Sequence, residues 1–86
     1  MKFEDSFFSS EKRYSLGQEL ESGKYYVSIP VSNTKADYEE YYEVSMEFYN
    51  AFPSNTKEVE EFVEACRLRQ KDSLLLVKPG SDRGFP

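Results

Sequence analysis

The sequence predicts an α+β fold: a small antiparallel sheet of three to four strands in a meander, packed against one long and one short α-helix. Three observations carry this expectation. Apolar and polar residues alternate at period two through residues 25–31 and again through 37–44, the signature of strands with one buried face. Val59, Phe62, Val63 and Cys66 recur at i, i+3, i+4 and i+7, which lines one face of a helix. The chain has 86 residues, enough for one small core and no second domain.

The elements follow in order. "MKFEDSFFSSEKR" scatters Phe3, Phe7 and Phe8 among serines and charges without a clean period, so it reads as an irregular arm, loosely ordered over about residues 1–12, that pins aromatics onto the core. "YSLGQEL" and "KYYVSIPV" are the first two strands, closed into a hairpin by the glycine-containing "ESG". In the second, Tyr25, Val27, Ile29 and Val31 share one face, and Tyr26, Ser28 and Pro30 the other. Pro30 has no backbone donor, which suits an edge, a bulge or a strand end.

"SNTKAD" supplies turn formers, and a third strand runs from Asp37 to Ser45. It places Tyr38, Glu40, Tyr42 and Val44 on one side and Glu39, Tyr41 and Glu43 on the other. Ser45 caps a short helix, "MEFYNAF", that must stop near Pro53, because the residue before a proline is pushed out of helical dihedrals. Thr56 is the expected cap of the long helix, "KEVEEFVEACRLRQ". Its glutamates crowd the amino-terminal end and its arginines the carboxyl-terminal end, the order that the helix dipole favours. "DSLLLVKPG" reads as a fourth strand, buried on both faces or central in the sheet, and the ending, about residues 79–86, as a loose tail.

Composition narrows the function classes. The net charge of −5 argues against an autonomous nucleic-acid binder, which draws its affinity from lysines and arginines, and against anionic membrane surfaces. The longest apolar run, "LLLV", is strand-sized and far below the roughly 20 residues that span a bilayer. One cysteine and no basic-apolar leader make a reducing cytosol the expected location. The chain has no histidine, Glu39 and Glu43 sit too far apart along a strand to share a proton, and no calcium-loop or zinc spacing occurs. Neither enzymatic chemistry nor a cofactor nor a metal is expected. Cys66 lies in the apolar stripe of the long helix, where cysteine acts as a small hydrophobe. "PGSDRG" reads as a turn, or as a tail touching a partner through Arg83 and Phe85.

Charge is concentrated regionally. Residues 37–64 hold nine carboxylates against Lys57, whereas residues 1–36 balance and residues 65–86 carry a net +3. Within the acidic region "KADYEEYYEVS" alternates carboxylates with tyrosine, a rigid side chain enriched in binding hot spots. The candidate partner-binding residues are Asp37, Glu39, Glu40, Tyr41, Glu43 and Glu47, offered to a basic protein surface. Tyr38, Tyr42 and Val44 would anchor the strand to the core, although a slip of one residue exchanges the two faces.

The runs "LGQELESGKYYVSIPVSNTKADYEEYYEVS" and "CRLRQKDSLLLVKPGSDRG" together resemble a group of small, uncharacterised bacterial proteins. That group carries an SG-x-YY-x-SIPVSN core, an acidic DYEEYYE segment and a basic C-R-x-R element. It has no established activity, so the resemblance brings no catalytic residues; it implies a free-standing bacterial cytosolic domain. In size, charge and lack of enzymatic equipment the chain is similar to immunity proteins that neutralise toxins exchanged between bacteria. The other expectation is a regulatory or accessory domain that binds a ligand or a larger complex, or pairs with itself as a homodimer through a sheet edge.

Overall fold

The computed structural model describes all residues, 1–86. Four strands, β1 (Phe3–Ser9), β2 (Tyr14–Glu19), β3 (Tyr25–Ser32) and β4 (Asp37–Val44), form an antiparallel meander in the order β1-β2-β3-β4. Two helices follow, α1 (Met46–Ala51) and α2 (Thr56–Arg67), then a single 3₁₀ turn at Asp72–Leu74. The α+β class is as expected, but the fourth strand is a different one.

The arm read as irregular is β1, an edge strand paired with β2. Its alternation was hidden by a bulge: the register shifts between Asp5 and Phe7, leaving Ser6 as an extra residue. An extra residue reverses which face later side chains take. Phe3 and Asp5 therefore lie opposite Glu19 and Gly17 on the outer face, while Phe7 lies opposite Leu16 on the inner one.

The "LLLV" segment does not make a strand. Leu75 forms one bridge to Tyr42, and the Leu76 amide donates to the Tyr41 carbonyl (2.9 Å) at the free edge of β4. Lys78-Pro79-Gly80 then leads the chain away, so the pairing stops after one rung.

The β2–β3 hairpin turns through Gly23 at φ 76°, with the Glu19 amide donating to the Lys24 carbonyl (2.8 Å). Pro30 is accommodated because β2 begins only at Tyr14. On that side of β3 the next rung beyond Pro30 is made by Ser32, whose amide donates to the Phe85 carbonyl and whose carbonyl accepts from the Phe85 amide. Pro30 thus occupies a gap where no donor is called for.

The inner face of the sheet packs on α2. Tyr14, Leu16, Val27, Ile29, Val31, Tyr42 and Val44 meet Val59, Val63 and Cys66, with Phe48, Phe52, Phe62, Leu74 and Leu75 at the margins. Ser45 caps α1, its hydroxyl accepting from the Phe48 amide (3.0 Å). Thr56 does not cap α2; it is the first helical residue, its hydroxyl donates to the Pro53 carbonyl, and Asn55 takes the cap position. At the other end the Gln70 amide donates to the Ala65 carbonyl and the Arg69 amide to the Cys66 carbonyl. This is a Schellman closure with Arg69, at φ 59°, where glycine is usual.

The carboxyl-terminal segment, read as a loose tail, is a strap tied to both layers. It leaves the edge of β4, rounds the tip of the β3–β4 hairpin and ends beside β3. Arg83 pairs with Glu40 and Asp72, the Gly84 amide donates to the Tyr38 hydroxyl (2.7 Å), and Arg69 donates to the Gly84 carbonyl (2.9 Å). No helix is long and apolar enough to cross a membrane.

Candidate functional site

The outer face of the sheet, which no helix covers, is where the sequence places its acidic and aromatic side chains. It is more enclosed than an uncovered face would be. Ser15, Glu19, Tyr26 and Ser28 are all buried there, because β1 curls back across the sheet. Phe3 of β1 stacks on Tyr41 of β4, ring centroids 3.6 Å apart, and both meet Tyr26 edge-on. The Tyr26 hydroxyl donates to Asp5 Oδ1 at 2.5 Å. Gly17 makes the curl possible: a Cβ there would collide with the Glu4 carbonyl oxygen and the Tyr26 hydroxyl.

Asp5 of β1 and Glu39 of β4 both lie on this outer face, and both are exposed. Glu39 accepts from the Ser28 hydroxyl (3.2 Å), and its pKa is raised, first by loss of surrounding water and then by the neighbouring Asp5 charge. Arg13 offsets part of that repulsion. The Tyr41 phenol is likewise pushed up by desolvation and by Glu39 and Asp5. A hollow of ≈ 290 Å³ opens at the end of the floor, lined by Phe8, Ser10, Arg13, Pro30 and Glu39. The Phe8 ring at its rim is 63% exposed.

The candidate residues read from the strip 37–47 separate into three groups. Glu39 and Glu43 lie on the outer face as expected, Glu43 3.7 Å from Lys24. Tyr41 is there too, but it serves the chain's own aromatic cluster and is half-covered by Phe3, so it is not the free anchor expected. Asp37 is exposed at the strand's start and accepts from the Ser32 hydroxyl (2.7 Å).

Glu40 is not part of the outer face and is covered by Arg83 in this structure. It is 6% exposed on the inner face, accepts from the Tyr42 hydroxyl and is held by Arg83. Its side of the strand made this necessary, since the alternation that buries Tyr42 buries Glu40 with it. Glu47 stands apart, exposed in the first turn of α1 and off the sheet face.

Sequence reasoning missed Asp5, Phe8 and Arg13. All three belong to the segment whose period was broken by the bulge at Ser6; the alternation Phe3-Asp5 before it was the available signal. No group of three or more histidine, cysteine, aspartate or glutamate side chains has metal-holding geometry. Cys66 is buried in the core, and burial pushes its thiol up to about 12, which suppresses the thiolate. Comparison with protein-family models, with curated proteins and with solved structures returns no match.

Proposed function

We propose that this chain is a non-enzymatic, acidic protein-binding domain whose partner is basic, an immunity-type inhibitor of a cationic, nuclease-like bacterial toxin acting in the cytosol. The observation that carries the reading is that Glu39 of one edge strand and the exposed ring of Phe8 of the other line one hollow on the outer face. Asp5 and Glu39 are exposed carboxylates on this face; like charges there repel each other, and a lysine or arginine from outside relieves that repulsion on binding. An aromatic rim next to such a pair adds cation–π contact and apolar area. A nuclease cleft, built to hold phosphates, presents the complementary charge, and attraction at long range would speed association at low salt.

The test is affinity capture from the native organism at low and at moderate salt, followed by binding assays of the purified partner with two variants. One reverses Glu39 and Glu43 to lysine; the other reverses Glu58 and Glu61, exposed on α2, for the same change in net charge. Loss of binding in the first and retention in the second supports the outer face. Equal loss in both would reduce the interaction to net charge and reject the assignment.

A second reading, an accessory domain that pairs with itself, is favoured by one feature: β1 is an open edge that exposes Phe8. The acidic residues Glu4 and Asp5 and the bulge on the same strand oppose edge pairing, which is why it ranks second.

A further inference from the structure

On the inner face, away from the Asp5–Glu39 pair, the structure holds a guanidinium in a fitted receptor. Arg83 Nε donates to Glu40 Oε2 (2.8 Å) and Nη2 to Glu40 Oε1 (3.0 Å). Its other edge meets Asp72, Nη1 to Oδ2 (2.7 Å) and Nη2 to Oδ1 (2.9 Å). The Tyr42 hydroxyl donates to Glu40 Oε1 (2.9 Å) and fixes that carboxylate in place. Two carboxylates forking onto two edges of one plane is a geometry that arginine satisfies and lysine cannot.

The occupant reaches this receptor from the end of the chain. Residues 77–82 are exposed, Gly80 borders open space, and the segment is tied down at Asp82, which pairs with Lys35 (2.8 Å) and accepts from Asn33 (2.7 Å). Beyond Arg83 the strap is fastened by polar contacts, and the Phe85 ring is 69% exposed, with Arg69 over its face. The strap therefore buries little apolar surface of its own, and ordering it is offset by polar ties, among which the Arg83 pair is the enclosed ionic one. Removing the arginine would leave Glu40 charged and enclosed, so the receptor strongly favours some guanidinium over none.

We propose that the Glu40–Asp72 pair is an exchangeable arginine receptor, that Arg83 is its resting occupant, and that an arginine side chain presented by a partner polypeptide displaces the strap. The proposal is independent of the outer-face reading, because it concerns different residues on the opposite face of the sheet. Displacement uncovers Tyr38 and the Glu40 carboxylate together, giving an incoming arginine a ring beside its ion pair.

The experiment titrates Nα-acetyl-arginine amide into the full chain and into its Arg83→Ala variant, followed by NMR, with Nα-acetyl-lysine amide at matched ionic strength. In Arg83→Ala the arginine amide should bind saturably, at least about ten-fold more tightly than it binds the unaltered chain and than the lysine amide binds. Adding Glu40→Gln should abolish that binding. An equal response to both amides, or none that saturates, overturns the proposal.

Should Arg83→Ala fail to fold, amide hydrogen exchange in the unaltered chain decides. Arginine amide, above the strap's effective concentration on the order of millimolar, should speed exchange at Gly84 and Phe85 while leaving Val27 unchanged. Unchanged exchange at Gly84 and Phe85 would overturn the receptor as an exchangeable site.

Discussion

Phe3 and Tyr41 lie on the two opposite edge strands of a four-stranded sheet, yet their rings stack at 3.6 Å. A flat sheet would hold its edges about 14 Å apart, three spacings of roughly 4.8 Å, so the contact measures how far this sheet is curled. The bulge at Ser6 supplies the bend, Gly17 the clearance, and Tyr26 the surface on which both rings rest. The same curl sets Asp5 against the Tyr26 hydroxyl, on the outer face that Glu39 shares.

Gly17→Ala should therefore destabilise the domain by about 3 kcal/mol, the upper range for overpacking, since the methyl meets backbone on one side and a buried ring on the other. Denaturant unfolding measures the loss. Chemical shifts of Asp5 and Glu39 should change together in the folded fraction; a variant of unaltered stability would contradict the packing described.

Glu19 shapes the acid limb of stability. Its carboxylate accepts from the Lys2, Ser22 and Glu21 amides, and the Lys2 bond above all lowers its pKa from 4.5 to about 2. A lowered folded-state pKa adds stability that is present above the unfolded value and is lost as pH falls through the folded one. The unaltered chain should lose stability between about pH 4.5 and about pH 2 more steeply than Glu19→Gln does. Unfolding free energies across that range check it, and parallel curves would refute it.

Glu39 has the opposite sign. Its raised pKa means that ionisation is costly in the folded state, so stability should rise as pH falls toward that pKa. Glu39→Gln should stabilise the fold at neutral pH by less than about 1 kcal/mol, because the side chain is partly wet. It should also weaken the basic partner. Stability and affinity moving in opposite directions mark a residue kept for binding; both falling together would make Glu39 structural.

Arg69 ends α2 in a left-handed conformation that costs a non-glycine residue about 1 kcal/mol. Its guanidinium holds the Gly84 carbonyl and lies 4.9 Å from the Phe85 ring centroid. Arg69→Ala should be the less stable of two variants and Arg69→Gly the more stable, by about 1 kcal/mol, in thermal unfolding. Both should speed amide exchange at Phe85 alike. That pattern separates the helix end from the strap.

Much of the architecture was legible in the residues themselves. Period-two patterning at 25–31 and 37–44 sorted the side chains of β3 and β4 into two faces, and the stripe from Val59 to Cys66 gave α2, because one-sided burial imposes those periods directly. Ser45 and Pro53 bounded α1 through local backbone chemistry. The regional acidity was readable from composition, and Glu39 and Glu43 lie outward as expected, but the choice between the two faces of β4 was left to its register with β3.

What only the tertiary structure decided concerns long-range partners. A single extra residue at Ser6 hid β1, and with it Asp5 and Phe8, because a bulge erases the period that marks a strand. "LLLV" has strand composition but only one rung to occupy before Lys78-Pro79-Gly80 turns it away. Glu40 looks like any surface glutamate until Arg83, far along the chain, is seen to neutralise it. Charge and periodicity are local properties of a sequence, whereas the pairing of one charge with another is fixed by how the chain returns upon itself.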